Sequence, residues 1–242
     1  TKIPDKTRLG DIPAYQLHRA QALPNLEIRP GVEATAETVR ALSPDLVVNA
    51  TGSKPLLPPI EGLRESLADE TSGVGTVFDM IDALPDYPAD MTGKRVVVIG
   101  GGAVGLDVVE FFAPRGAQVT IVEMMPKIGN GLDASSASET RECLEKYGVD
   151  QRTETALKKV APHAFTVEHA GKTEELGFDL GFICLGMKAH APLWDELSAA
   201  FSDGGTELLN IGDSRRAARI IEGVDAGRHQ TLAALERLGC FD

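Results

Sequence analysis

The sequence predicts an α/β fold built on a mostly parallel, doubly wound sheet. Three observations predict it. Segments that read as strands alternate with segments that read as helices from Lys94 onward. A strand-like run, KRVVVIG, passes directly into the glycine-spaced turn of GGGAVG and then into a helix. The hydrophobic fraction, 43%, is mainly aliphatic, with aromatics at 5% and Trp194 the single tryptophan, which suits strands covered on both faces.

Taken in order, residues 1–25 are polar, with a weak helical pattern through Tyr15, Leu17 and Leu23. LEIRPG at 26–31 reads as a short strand and turn, and TAETVRAL at 35–42 as a short helix capped at its start. DLVVNATG at 45–52 reads as a buried strand that runs into glycine. KPLLPPIEG at 54–62 holds three prolines and is neither helix nor central strand, so it is expected to be a crossing loop. VFDMIDAL at 77–84 predicts a short helix, KRVVVIG a strand, GAVGLDVVEFFA a helix and AQVTIVE a second strand. SSASETRECLEKYG at 135–148 predicts an amphipathic helix ending at Gly148. Three or four short strands follow, among them AFTVEH at 164–169 and DLGFICLG at 179–186, then ELLNIGD at 207–213. A helix from about Arg216 to Leu238 closes the chain.

Composition excludes several classes of function. The net charge is −12, and no stripe of Lys or Arg offers a surface to nucleic acid or an anionic membrane. Cys143, Cys184 and Cys240 lie far apart, with no metal or CxxC spacing, as expected of small buried hydrophobes in a reducing cytoplasm. No apolar run approaches the ~18 residues of a membrane-spanning helix, and no signal peptide is visible. No acid–base dyad, nucleophile constellation or metal-ligand set stands out, so catalytic residues are unassigned and no metal is expected.

The strongest chemical signal is Gly100, Gly102 and Gly105 in GxGxxG spacing. The first glycine makes the strand-to-helix turn, the second lets a diphosphate approach the backbone, and the third lets the helix pack closely. The helix then offers free N–H groups at Ala103 and Val104 and a positive dipole end. Glu123, 23 positions after Gly100, ends the returning strand, where a carboxylate accepts hydrogen bonds from the adenosine ribose hydroxyls. That acid repels a 2′-phosphate, which predicts NAD(H) over NADP(H), with Lys127 the one cation close behind it. Met124 and Met125 read as packing residues, with Met124 also close enough to Glu123 to touch an adenine, and Gly186 ends the strand ICLG beside the same cleft.

Two further segments end strands in small residues: Ala50-Thr51-Gly52, and Gly212-Asp213. Each alone has a plain explanation, a crossover and an acid capping the next helix. The order ATG, GxGxxG with its trailing Glu, ICLG and GD resembles the two-dinucleotide-domain flavoprotein disulfide-reductase superfamily. More specifically, TKIPDKTRLGDIPAYQ, ATGSKPLLPPIEG, VVVIGGGAVGLDVVEFFAPRGAQVTIVEMMPKIG and LLNIGDSRRAARIIEGVDAGR resemble the C-terminal half of the iron–sulfur flavoenzymes related to old yellow enzyme. That group includes 2,4-dienoyl-CoA reductase, 2-enoate reductase and trimethylamine dehydrogenase.

The resemblance implies an α/β fold in which a Rossmann-like NAD(P)-binding domain is inserted in a partial FAD-binding domain. Residues 1–90 would be the partial FAD-binding domain with its crossover strand, 91–188 the NAD(P)-binding domain, and 189–242 the return to the FAD side. It implies FAD against Thr51, Gly52, Gly212 and Asp213, and an NADH:flavin oxidoreductase that passes hydride from NADH to FAD. The family's FMN barrel, its 4Fe–4S cysteine cluster and its first glycine fingerprint do not occur in these 242 residues. The expected partner is therefore an N-terminal barrel and cluster region of the same enzyme, with the fragment inactive alone on the organic substrate and association into a homo-oligomer left open. A module that binds or senses NAD or ADP without turnover remains the alternative. His18, His163, His169, His190 and His229 are scattered and read as surface or packing residues. Cys184 reads as buried and Trp194 as a packing residue.

Overall fold

The computed structural model describes Ile3 and residues 6–241; Thr1, Lys2, Pro4 and Asp5 of the N-terminal run, and Asp242, lie outside the described residues. In chain order the first elements are α1 (Asp11–Gln21), α2 (Ala36–Arg40), β1 (Leu46–Asn49) and β2 (Ser53–Pro55). Next come α3 (Leu63–Ala68), β3 (Val74–Thr76), α4 (Val77–Asp82), β4 (Arg95–Ile99), α5 (Ala103–Phe112) and β5 (Gln118–Val122). Then follow α6 (Ala134–Lys146), β6 (Asp150–Arg152), β7 (Thr155–Ala161), β8 (Ala164–His169), β9 (Lys172–Gly177) and β10 (Leu180–Ile183). The chain ends with β11 (Met187–Ala189), α7 (Trp194–Ala200), β12 (Glu207–Asn210), α8 (Ile220–Asp225) and α9 (Thr231–Arg237).

Contacts divide the chain into two units, one of residues up to 24 and 55–186, the other of residues 25–54 and 187–242. Of the first segment, read from sequence as residues 1–90, the described residues up to 24 and residues 55–90 thus group with the fingerprint region, and 25–54 with the C-terminal return.

The first unit is built on a five-stranded parallel sheet in the order β3-β10-β4-β5-β6. β4 explains why its sequence is unbroken Val and Ile. Val96 and Val98 join one core with Leu106, Val109 and Phe112 of α5, while Val97 and Ile99 join a second with Phe165, Val167 and Phe178. A strand apolar on both sides is the mark of a sheet sandwiched between layers. The second layer is the antiparallel meander β7-β8-β9, joined by Leu63 of α3. On the α5 side, Tyr87, Phe111 and Phe112 meet edge to face at 4.9–5.7 Å.

The second unit is smaller. β1 pairs in parallel with β12, Leu46 beside Glu207 through Asn49 beside Asn210. β2 pairs with β11. α2 begins at Thr35, whose hydroxyl accepts from the Thr38 N–H at 3.2 Å.

Several sequence expectations need correction. Residues 26–31 form no strand: Leu26 and Ile28 are exposed, Glu27 and Arg29 pair with each other, and Pro30 has no N–H to donate. β1 is shorter and less buried than expected, with only Asn49 fully covered, because β12 is its one strand partner among the described residues. The proline-rich crossing loop begins as strand β2, with Pro55 at its last position. The closing helix starts at Ile220 rather than Arg216, and a π-helical turn at Ala226–Gln230 joins α8 to α9. Asp213 therefore does not cap that helix; Arg219 holds the cap position.

Candidate nucleotide site and the strand ends of the second unit

The glycine turn after β4 is held by constraints that differ at each position. Gly100 has φ +110°, and a Cβ there would lie 2.2 Å from the Cys184 carbonyl oxygen, so the turn is pressed against the end of β10. A Cβ on Gly105 would lie 1.9 Å from the Gly100 carbonyl oxygen; the helix packs on the turn itself. At Gly102 a Cβ would meet nothing within 4 Å, because this position faces open space at the start of α5. No side chain caps α5, and no acid stands in its first turn, so its free N–H groups and positive dipole end stay available to an anion.

Gly101, which the sequence reading passed over, is the fastening point. Its N–H donates to Glu123 Oε2 at 2.6 Å, and its carbonyl accepts from the Gly129 N–H at 2.7 Å. The other carboxylate oxygen of Glu123 accepts from the Met125 N–H at 2.8 Å. Glu123 thus ties the fingerprint turn to the loop after β5. A carboxylate offers about four lone-pair sites, so two remain for ligand hydroxyls.

These elements enclose a cavity of about 590 Å³. Of the nucleotide-side residues read from sequence, it is lined by Gly100, Gly102, Ala103, Val104, Glu123, Met124 and Gly186. Gly105 is buried behind it, as a packing residue. Lys127 is not brought to it; it lines a separate cavity of about 210 Å³ with Arg141 and Thr153. What sequence reasoning missed is the apolar wall: Leu56, Pro58 and Ile60 from the proline-rich loop, Ala156 and Leu157 from β7, and Leu185. The signal was present in LLPPI, where Leu57 and Ile60 pack on the second core while Leu56 stays exposed. Cys184 also lines the cavity, and burial pushes its thiol up to about 12, with the charge of Asp107 adding to the shift. It stays protonated and inert at neutral pH.

In the second unit, the pairing of β1 with β12 brings the Thr51-Gly52 and Gly212-Asp213 ends together. The Thr51 hydroxyl donates to the His190 carbonyl, and the His190 N–H donates to the Gly52 carbonyl at 3.0 Å. The Asp213 carboxylate accepts from the Ser53 hydroxyl at 2.8 Å and from the Ala218 N–H at 3.1 Å. Beside it lies a cavity of about 550 Å³ lined by Gly212, Arg215, Arg216, Arg219 and Gln230.

Two of the histidines make local contacts: His169 Nδ1 lies 3.1 Å from the Glu154 carbonyl and His229 Nδ1 2.6 Å from Asp225. Among the described residues, no three of His, Cys, Asp and Glu gather as metal ligands, and no helix is long and apolar enough to cross a membrane.

Comparison with known proteins agrees with this geometry. The family described as pyridine nucleotide-disulphide oxidoreductase matches residues 25–209. A protein named NADH oxidase from Thermoanaerobacter brockii is 33% identical over 84% of this chain and 30% of its own length. A protein named bilirubin reductase from Mediterraneibacter gnavus is 32% identical over 93% of this chain and 33% of its own. Among solved structures, a 2-naphthoyl-CoA reductase complex superposes with a TM-score of 0.74 at 25% identity, covering 93% of this chain and 32% of that one. Histamine dehydrogenase from Rhizobium sp. 4-9 has a TM-score of 0.76 at 22% identity, covering 94% and 36%, a likeness of fold alone. The chain therefore spans about a third of the length of these relatives. With the glycine turn, the acid behind it and the parallel sheet all in place, the chain belongs to the pyridine nucleotide-disulphide oxidoreductase family, an α/β fold that implies FAD and NAD(P)H as cofactors.

Proposed function

We propose that the cavity at the fingerprint turn binds NADH in preference to NADPH, and that the chain is the nucleotide-handling part of an NADH:flavin oxidoreductase of the iron–sulfur, old-yellow-enzyme-related type. The observation that carries the nucleotide reading is the contrast among the glycines. Gly100 and Gly105 are required by the protein's own packing, whereas the bare face of Gly102 is required by nothing in the protein. It leaves room for a group approaching the backbone, beside uncapped N–H donors that favour an anion. The diphosphate is assigned to Gly102, Ala103 and Val104, the adenosine ribose to Glu123, the adenine to Met124, and the far end of the ligand to Gly186. Glu123 supports NADH over NADPH, since a carboxylate disfavours a second phosphate beside it. Lys127 and Arg141, in their separate cavity, are the nearest competing argument.

Bound reduced nicotinamide nucleotide supplies a hydride. The chain's own residues position it and shield it: Leu56, Pro58, Ile60, Leu157 and Leu185 give the cavity an apolar wall that excludes water. On the other unit, Thr51, Gly52, Gly212 and Asp213 are assigned to FAD. A fixed carboxylate beside a cavity rimmed by Arg215 and Arg216 suits a ligand with both hydroxyls and phosphates. The sequence holds one glycine fingerprint, so these residues make up part of a flavin site. They favour the redox reading over a nucleotide sensor, which has no need of them. The similarity to reductases of bilirubin and 2-naphthoyl-CoA supports an enoate or dienoyl-CoA reductase type, in which an FMN barrel and a 4Fe–4S cluster would come from the rest of a longer enzyme.

Calorimetric titration with each nucleotide tests the central reading. NADH is expected to bind more tightly than NADPH. Equal affinity, or tighter NADPH, would overturn the assignment of Glu123.

A further inference from the structure

The ends of β1 and β12 carry more buried polar chemistry than a two-stranded pairing requires. Asn49, 5% exposed, donates its side-chain amide to Asn210 Oδ1 at 2.9 Å. The Ser214 hydroxyl, 2% exposed, lies 2.7 Å from the same Oδ1, 2.6 Å from the Ile211 carbonyl and 3.1 Å from the Asn49 carbonyl. Burying such groups is costly unless each is hydrogen-bonded, and a satisfied network rigidifies what it joins. Here it joins the two strands to the short turn Gly212–Ser214. Asp213 stands in the middle of that turn, so its backbone is held on both sides.

The side chain is then held separately. Ser53 follows the Thr51-Gly52 end of β1, and its hydroxyl donates to Asp213 Oδ2, while the Ala218 N–H donates to Oδ1. A carboxylate on an unrestrained turn rotates among several rotamers, whereas one gripped at both oxygens has a single orientation, with two lone-pair sites left over. We infer that Ser53 is a positioning residue: its hydroxyl fixes the Asp213 carboxylate so that the free lone pairs accept from the hydroxyls of a polyol chain, the ribityl chain of a flavin nucleotide. This rests on the assignment of Asp213 to FAD made above.

The test uses FAD titrated into the 242-residue chain, followed by quenching of flavin fluorescence, with NADH titration and thermal melting run in parallel. Ser53→Ala is expected to weaken FAD binding about tenfold, the loss of one hydrogen bond to a charged group. Ser53→Thr, which keeps the hydroxyl, is expected to restore it, with NADH affinity and melting temperature unchanged in both. A purely structural role for Ser53 lowers melting and both affinities together, and that result overturns the inference. So does wild-type FAD affinity in Ser53→Ala, or failure of Ser53→Thr to rescue, while Asp213→Asn weakens FAD. If Asp213→Asn binds FAD as tightly as wild type, the flavin assignment fails first and the inference falls with it.

Discussion

At the scale of single residues, the three fingerprint glycines make opposite predictions although their spacing treats them alike. Gly105→Ala would drive a Cβ into the Gly100 carbonyl, so overpacking is expected to cost about 2 kcal/mol or more, read as a lower denaturant midpoint. Gly102→Val has space in the protein and is expected to keep wild-type melting and circular dichroism while abolishing NADH binding. A Gly102→Val chain that still binds NADH would mean that the diphosphate sits elsewhere. Glu123→Ala removes the acceptor for the Gly101 and Met125 N–H groups as well as the acceptor proposed for the ribose. NADH affinity is expected to fall by about 1.5–3 kcal/mol, with NADPH affected less. The three thiols should also separate by environment. Cys240 is exposed, Cys143 is half-covered with burial raising its pKa, and Cys184 is raised to about 12. Alkylation followed by mass spectrometry is expected to label Cys240 first and Cys184 only on unfolding; ready labelling of native Cys184 would show an open cavity floor.

At the scale of elements, α5 is the helix on which the proposed nucleotide site depends, and its outer side is tied to the N-terminal segment. Lys6 pairs with Asp107 and, at 2.8 Å, with Glu110, one turn apart on α5. Burial works to lower the Lys6 pKa, but the two carboxylates outweigh it and hold the pKa above its ordinary 10.5. A raised folded-state pKa on a base means stabilisation that is present in full below pH 10.5 and lost as pH rises through the higher folded value. All three side chains are about a third exposed, so solvent screening keeps the contribution of the cluster below about 1 kcal/mol. Lys6→Met is expected to lower stability by that small amount at neutral pH, with the gap to wild type closing above pH 10.5. A gap that widens in alkali would show that Lys6 acts through packing of its stem instead.

At the scale of the whole molecule, the division into two units predicts that nucleotide binding acts on one of them. NADH at a hundredfold excess over its dissociation constant adds about 2.7 kcal/mol to the stability of whatever folds with its site. Hydrogen exchange read by mass spectrometry is expected to show that protection within residues 55–186, with residues 187–241 little changed. Equal protection across both units would show that they unfold as one.

What the amino-acid sequence determined by itself was whatever depends on local chemistry. The apolar run of β4, the glycine spacing and the acid closing β5 specify a strand, a turn and an anion-accepting helix start within thirty residues. Period and turn chemistry are read over such distances without knowledge of the rest of the chain. The strands at 74–76 and 187–189 were not legible, because three residues carry too little periodicity and owe their state to the neighbours they pair with. LEIRPG failed for the converse reason: it has the composition of a strand and no partner. Only the tertiary structure decided that Glu123 fastens Gly101, that Lys127 stands apart from the main cavity, and that a proline-rich loop supplies its apolar wall. It alone joined Ser53 to Asp213 and Lys6 to Asp107 across more than a hundred residues of chain. Such contacts follow from how layers stack and strands pair, and nothing in the spacing of residues along one segment reports which distant segment will be laid against it.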